Sequence, residues 1–358
     1  MTLPPMGPDR EPWLAAGVPS AGSSGGGLRA AHLLRSLVER VDATVIPFFG
    51  RRGLPSLALE VAWRSRLWRS PLSVASARLV PAAGLALLRG RVDGRLLDLH
   101  DHPRLQLEAF GIAVPEGRQR ALDELVRRNQ EAFARLSIPS ASFAELCELP
   151  ADQVVVATNG TDASTITPAP LQDEPVVAMI SGAAPGRGIE LLVEAMERVR
   201  GELPRAQLRL ALAPTGPESR RYLATFVHNQ VGRPWLRVQR VPYPQLSAFL
   251  GVAQILVIPH PPGAYHDVAT PVKLFDGMAS GRPVVVTPRR ETAQIVRSTG
   301  AGVVAGDGPD ELADAISHLL ADEARRREMG AAARRAAIEL YDWRVISSRL
   351  ADEVLGRD

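Results

Sequence analysis

The sequence predicts an α/β protein built on two doubly wound parallel sheets, each in its own domain. At 358 residues the chain exceeds one ordinary domain. A strand, a glycine-rich turn and an amphipathic helix follow one another twice, first from Trp13 and again from Val176. Elsewhere short apolar runs alternate with segments of helical period, the rhythm of strands joined by crossover helices. Hydrophobic residues make up 46% and charged residues 23%, which suits a soluble globular chain with ample core. The net charge of +3 fits a phosphorylated ligand or an acidic membrane surface, and no motif supports nucleic acid. One cysteine, Cys147, leaves no intramolecular disulfide and no cysteine-based metal site, so cytoplasm is the expected compartment. Pro4, Pro5, Pro8 and Pro12 break any leader helix, and the most apolar run, Leu72–Leu88, is interrupted by Arg78 and Pro81. An integral membrane protein is not expected.

In the first domain, Trp13–Val18 reads as a strand, Pro19–Gly27 as a glycine-rich loop and Leu28–Arg40 as a helix. Gly25-Gly26-Gly27-Leu28-Arg29-Ala30 also satisfies G-x-G-x-x-G/A, which would suit a nicotinamide enzyme. The second strand, Thr44–Phe49, runs into Gly50-Arg51-Arg52 with no acid to hold an NAD ribose, so only NADP would fit. Leu54–Leu72 sets Trp63, Leu67 and Trp68 beside Arg64, Arg66 and Arg69. That pattern describes either an amphipathic element resting on anionic lipid or a helical pair over the sheet with arginines snorkelling outward. Arg95–Leu99 reads as a strand ending in His100-Asp101-His102-Pro103, and the carboxyl end of a parallel strand faces the ligand crevice. The spacing is not a usual zinc pattern, and Asp101 as a cap is the structural alternative. Pro115–Leu136 has helical period; Ser137–Ser142 and Val154–Ala157 read as strands, Asn159–Asp162 as a turn and Ala163–Glu174 as a linker.

The second domain opens with the strand Val176–Ser181, the turn Gly182–Gly188 and the helix Ile189–Arg200. A helix start of this kind offers free amides to an anion. Gln207–Ala213, Leu236–Val241 and Ile255–Pro259 read as further strands, Leu246–Gly251 as a helix and His260–Ala269 as a loop. Thr270–Pro288 compresses a second anion site into one run: Thr270 to cap a helix, Pro271 at its first position, and Leu274, Phe275 and Met278 as its buried stripe. Lys273 is the only lysine in a chain with 42 cationic side chains, and it sits in that first turn with Asp276 at i+3. A surface ion pair between them and a phosphate contact are the two readings, and the helix start favours the second. Gly300–Gly306 reads as a short strand pair, and Asp310–Leu320 and Ala324–Tyr341 as long helices.

TPVKLFDGMASGRPVVVTP resembles the donor-binding signature of GT-B-fold glycosyltransferases, most closely the retaining enzymes of glycosyltransferase family 4, which often read P-x-K-x-F-E-Y-M-A-x-G-x-P-V-V. The resemblance is specific over Val176–Leu350 and faint before Ser137. It implies two Rossmann-like domains whose parallel sheets face a central cleft: residues 1–162 for the acceptor, 163–342 for a nucleotide sugar, and a last helix in 343–358 that packs back on the first domain. Asp276 would hold the ribose, and Thr270, Pro271 and Val272 with Lys273 would hold the pyrophosphate. Arg187-Gly188, standing for the family's K-G after Gly182, would clamp the diphosphate, although Ala183 replaces the usual cation. Val241 and Tyr243 would flank the base. His100, with His102 in reserve, would contact the transferred sugar, and Gly25, Gly26 and Gly27 would line the acceptor side. The family's first acid falls at Val268, with His266 and Asp267 as candidate substitutes, and Asp276 is itself shorter than the usual Glu.

The implied activity is retaining transfer of a sugar from a UDP-, GDP- or dTDP-sugar to a small molecule, glycolipid or glycan. No cofactor is implied, and no D-x-D triplet points to a metal. A degenerate GT-B protein that only binds nucleotide or a partner, and an isomerase or phosphorylase on the same fold, are the other classes. Peripheral membrane contact would run through Leu54–Leu72.

Overall fold

The computed structural model describes residues 13–19, 25–41, 44–48, 72–76 and 92–356. The chain forms two compact units. The first takes in the chain up to Arg104, Val114–Thr158 and the chain from Trp343; the second takes in Leu105–Ala113 and Asn159–Asp342. Residues 105–113, which the sequence assigns to the first domain, therefore group with the second.

The first unit is built on a six-stranded parallel sheet of β1 (Trp13–Pro19), β2 (Thr44–Phe48), β3 (Leu72–Ser76), β4 (Val92–Asp98), β5 (Arg135–Ile138) and β6 (Val154–Val156), in the order β2-β1-β3-β4-β5-β6. The sequence reading missed β3, because Leu-Ser-Val-Ala-Ser is short and offers only two large apolar residues. Residues 54–71 and 77–91, with the tryptophan–arginine segment, and Gly50-Arg51-Arg52 lie outside the described residues. One expected helix is two, α1 (Gly25–Leu33) and α2 (Arg35–Val41). Gly25, Gly26 and Gly27 form the first turn of α1, where the sequence reading expects a loop. The helices α3 (Pro103–Ala109), α4 (Glu116–Ala132) and α5 (Ala141–Leu146) follow.

A buried ionic network ties α1 to the sheet. Arg29 donates through Nε and Nη2 to Asp98 at the end of β4, at 3.0 and 2.7 Å, and through Nη1 to the Ala157 carbonyl at 2.7 Å. Ser137 Oγ donates to the same carboxylate at 2.8 Å. The last helix, α14 (Trp343–Leu355), packs on α1 and α2: the His32 ring stacks on Trp343 at 5.8 Å, and the Ser36 amide donates to Ser347 Oγ at 2.8 Å.

The second unit has its own six-stranded parallel sheet, β12-β11-β10-β7-β8-β9. Its strands are β7 (Val176–Gly182), β8 (Gln207–Ala213), β9 (Leu236–Gln239), β10 (Ile255–Ile258), β11 (Val284–Val286) and β12 (Gly302–Val304). Both faces are covered, so the central strands β7, β10 and β11 are apolar almost throughout and their side chains divide by parity. Val177, Met179, Ile255, Val257 and Val285 enter one core with α6 (Ile189–Glu202), α7 (Pro217–Asn229) and α12 (Pro309–Ala321). Ala178, Leu256, Ile258, Val284 and Val286 enter the other with α8 (Leu246–Gly251), α10 (Val272–Ala279), α11 (Arg290–Thr299) and α13 (Glu323–Glu339). The strand pair expected at Gly300–Gly306 is one short strand, β12, hydrogen-bonded in parallel to β11. The loop expected at His260–Ala269 contains a helical turn, α9 (Ala264–Val268), entered through Gly263.

Candidate functional site

The two anion-binding helix starts expected from the sequence lie in the second unit. In α10, Pro271 is the N-cap and Val272 the first helical residue. Thr270 therefore does not cap: its hydroxyl is buried with no hydrogen-bond partner among the described residues, at 3% residue exposure. Its carbonyl accepts from Asn159 Nδ2 at 2.7 Å, which anchors the Asn159–Asp162 turn to the entry of the helix. The helix is buried along nearly its whole length, so its orientation is fixed by Leu274, Phe275 and Met278.

Lys273 and Asp276 share a face in sequence yet form no ion pair among the described residues. Lys273 lies near Arg187 of the glycine turn and near His260 and His266, whereas Asp276 accepts from Thr161 Oγ1 at 2.7 Å and lies beside Tyr243 and Asp162. Burial pushes the Asp276 carboxyl up to about 7, and the Asp162 charge adds to this against the bond from Thr161. Burial, then the Arg187 charge, pushes the Lys273 ammonium down to about 7. Tyr243 opens a 3-10 turn, Tyr243–Gln245, and with Val241 packs against the core under α10.

At the second helix start, Gly182 closes β7 and Gly188 is the N-cap of α6. Gly188 has φ of +74°, and a Cβ there would lie 1.7 Å from the Pro259 carbonyl oxygen. Only glycine allows the turn to press against the end of β10. That contact sets Arg187 near His260, the residue after Pro259. His260 is 2% exposed, and both ring nitrogens are buried without a partner among the described residues. Burial, followed by the charges of Lys273, His266, Arg187 and Arg289, holds it well below the ordinary imidazole range. The His266 ring lies 4.8 Å away, pushed down to about 4 by burial and then by Arg187 and Lys273. Three cations thus meet two neutral imidazoles and orphaned buried hydroxyls at Thr270 and Ser181. Such a site is complementary to an anion that also carries hydroxyl groups.

His260, Thr161 and Arg289 were not singled out by the sequence reading. His260 carried one available signal, its position at the carboxyl end of β10. Val268 is buried, and Asp267 sits 3.7 Å from Arg289, whose other carboxylate partner is Asp307. His100, His102 and Gly25–Gly27 belong to the first unit. His100 Nδ1 is 2.9 Å from Asp98 Oδ2, and Nε2 is 3.6 Å from Asp101. Burial works to lower the His100 pKa, but the bond to Asp98 and its charge raise it overall. Asp98 is held low against its own burial by Arg29 and His100. His102 is buried, with Nε2 3.6 Å from Asp123.

The architecture is matched by solved structures over nearly the whole chain. A sucrose-phosphate synthase from Thermosynechococcus elongatus superposes with a TM-score of 0.76 at 17% identity, covering 98% of this chain and 100% of that one. Anabaena HepE, solved in complex with UDP-glucose, superposes with a TM-score of 0.72 at 14% identity, covering 96% and 99%. The chain has the GT-B fold. Within this GT-B chain, residues 174–322 match the model of the family described as "Glycosyl transferases group 1". A GDP-mannose-dependent alpha-(1-6)-phosphatidylinositol monomannoside mannosyltransferase of Mycolicibacterium smegmatis is 30% identical over 194 residues, 52% of this chain and 49% of that protein. An MMP alpha-(1->4)-mannosyltransferase of Mycolicibacterium hassiacum is 26% identical over 181 residues, 49% of this chain and 41% of that protein. The chain spans about half the length of the curated relatives it matches. Among the described residues, no helix is long and apolar enough to cross a membrane, and no group of three or more metal-ligating side chains is placed to hold an ion.

Proposed function

We propose that the chain is a glycosyltransferase that moves a sugar from a nucleoside-diphosphate sugar to an acceptor, with retention, as in glycosyltransferase family 4. The observation that carries this reading is the convergence of Arg187, Lys273 and the start of α10 on one buried site, with Asp276 one helical turn deeper. Arg187, Lys273 and the first amides of α10 hold the diphosphate and stabilise it as it leaves. Asp276 accepts the ribose hydroxyls, and Val241 and Tyr243 flank the base. His100, from the acceptor-binding residues 1–162, contacts the transferred sugar. Cations and helix dipoles supply the charge stabilisation, so the reaction runs without a metal.

The curated relatives named for GDP-mannose support a GDP-sugar as the first donor to test, with UDP-sugars second because HepE was solved with UDP-glucose. The relative named for phosphatidylinositol monomannoside supports a mannosylated lipid as the first acceptor to test, and such an acceptor would bring the chain to a membrane surface. Calorimetric titration with GDP, UDP and dTDP, beside Lys273→Ala and Asp276→Asn, tests the donor site. Binding of one nucleotide that both variants weaken is expected, and no binding of any nucleotide overturns the reading.

A further inference from the structure

The segment Leu105–Ala113 groups with the second unit, while the chain before and after it belongs to the first. Its place in the second unit is specific. The Phe110 ring lies under the Arg187 guanidinium, with Cζ 3.7 Å from the ring centroid, and its edge meets the Tyr265 ring at 5.9 Å. Gln106 Nε2 donates to Tyr265 Oη at 3.3 Å, which fixes the other end of the segment on α9. The Ala109 carbonyl closes on the glycine turn itself: a Cβ at Gly186, where φ is +69°, would lie 2.4 Å from that oxygen. The segment therefore occupies the space between the Gly182–Gly188 turn and α9, the two elements that bring Arg187 and His266 to the site.

We propose that Leu105–Ala113 is a strap that completes the donor-phosphate site and that Phe110 is a positioning residue, holding the Arg187 guanidinium in the orientation that grips the diphosphate. An arginine side chain must be ordered when it binds its anion; an aromatic face beneath it does that ordering in advance. The guanidinium can stack and still present its N–H edge, because cation–π contact uses the plane and anion binding uses the rim. The strap also means that residues 159–342 alone lack part of their own ligand site.

This inference rests on the donor-site reading above, and two measurements on the full chain separate them. Phe110→Leu keeps apolar bulk and removes the π face; Phe110→Tyr keeps both. Hydrogen exchange of the free chain reads the strap without any ligand. Phe110→Leu is expected to raise exchange across residues 184–188, and Phe110→Tyr to leave it as in the wild type. Exchange unchanged in Phe110→Leu overturns the proposal. In calorimetry with the nucleotide that the wild type binds, Phe110→Leu is expected to weaken affinity about fivefold, the order set by one partly buried cation–π contact, with rescue in Phe110→Tyr. Equal affinity in wild type and Phe110→Leu also overturns it. A wild type that binds no nucleotide, with exchange raised in Phe110→Leu, refutes the donor-site reading and supports the strap as the element that orders the turn.

Discussion

Nucleotide binding by this chain is expected to be linked to protons at two side chains one helical turn apart, with an affinity maximum near pH 7. If the proposed donor site is right, binding requires the ammonium form of Lys273 and the carboxylate form of Asp276, and both groups sit at about 7 in the free protein. At pH 7 about a quarter of the molecules carry both required forms. At pH 8.5 Asp276 is nearly all ionised, but only about 3% of Lys273 remains protonated, so apparent affinity falls about eightfold, or about 1.2 kcal/mol. Below pH 7 the same loss comes from protonation of Asp276. Calorimetry from pH 7 to 8.5 reads the alkaline limb directly. Repeating pH 8 in buffers of different ionisation enthalpy should reveal uptake approaching one proton per nucleotide. Lys273→Arg keeps its charge and flattens the alkaline limb, and Asp276→Asn removes the acidic one. An affinity that stays constant between pH 7 and 8.5, with no proton uptake, refutes this account of the site.

Three other substitutions test separate parts of the molecule. Gly188→Ala combines a positive φ with a Cβ driven into the Pro259 carbonyl, and should cost more than about 3 kcal/mol in urea unfolding of the second unit, as backbone must shift. Asp98→Ala strands the fully buried Arg29 and should destabilise the first unit by about 3–5 kcal/mol; a loss under 1 kcal/mol would mean that water reaches the pair. His100→Ala should leave nucleotide affinity unchanged while lowering turnover by about 100-fold, and equal turnover would remove His100 from the sugar site.

Much of the second unit was legible because two pieces of its site are each continuous in sequence. Thr270–Pro288 holds a helix start, a buried helix and a strand with no long-range information needed, and the Gly182–Gly188 turn follows its strand directly. The reading erred there on detail set by three-dimensional packing. Thr270 has the right chemistry for a cap, but Pro271 takes the N-cap, so the hydroxyl is left buried without a partner among the described residues. Spacing i,i+3 put Lys273 and Asp276 on one face; in the fold Lys273 lies beside a second cation, Arg187, while Asp276 accepts from Thr161, and both neighbours are distant in sequence. His260 could be suspected only from its place after a strand, since its significance comes from the glycine turn pressed against Pro259. In the first unit, β3 is short and poor in large apolar residues, and Arg29 looked like part of a dinucleotide fingerprint when it is the buried partner of Asp98.

The lone lysine has a physical reason that sequence composition only hints at. A guanidinium keeps its charge wherever it is placed, whereas an ammonium can shed its proton when the site is empty. The free site already gathers Arg187 and Arg289, and it keeps His260 and His266 neutral to limit repulsion. Lys273 continues that logic. Its pKa falls from 10.5 to about 7 on folding, so the folded chain gives up stability progressively as pH drops from about 10, and the full cost is in force below 7. Water reaches part of the side chain, which discounts that cost to about 2–3 kcal/mol. Lys273→Met keeps the stem and removes the charge, so at pH 6 it should melt about 5–10 °C above the wild type while binding nucleotide more weakly. At pH 9.5, where the lysine is largely neutral when folded, the difference should shrink. A methionine variant less stable than the wild type at pH 6 would mean that the ammonium is already paired in the free chain, and the site would then be preorganised by an interaction other than the one described.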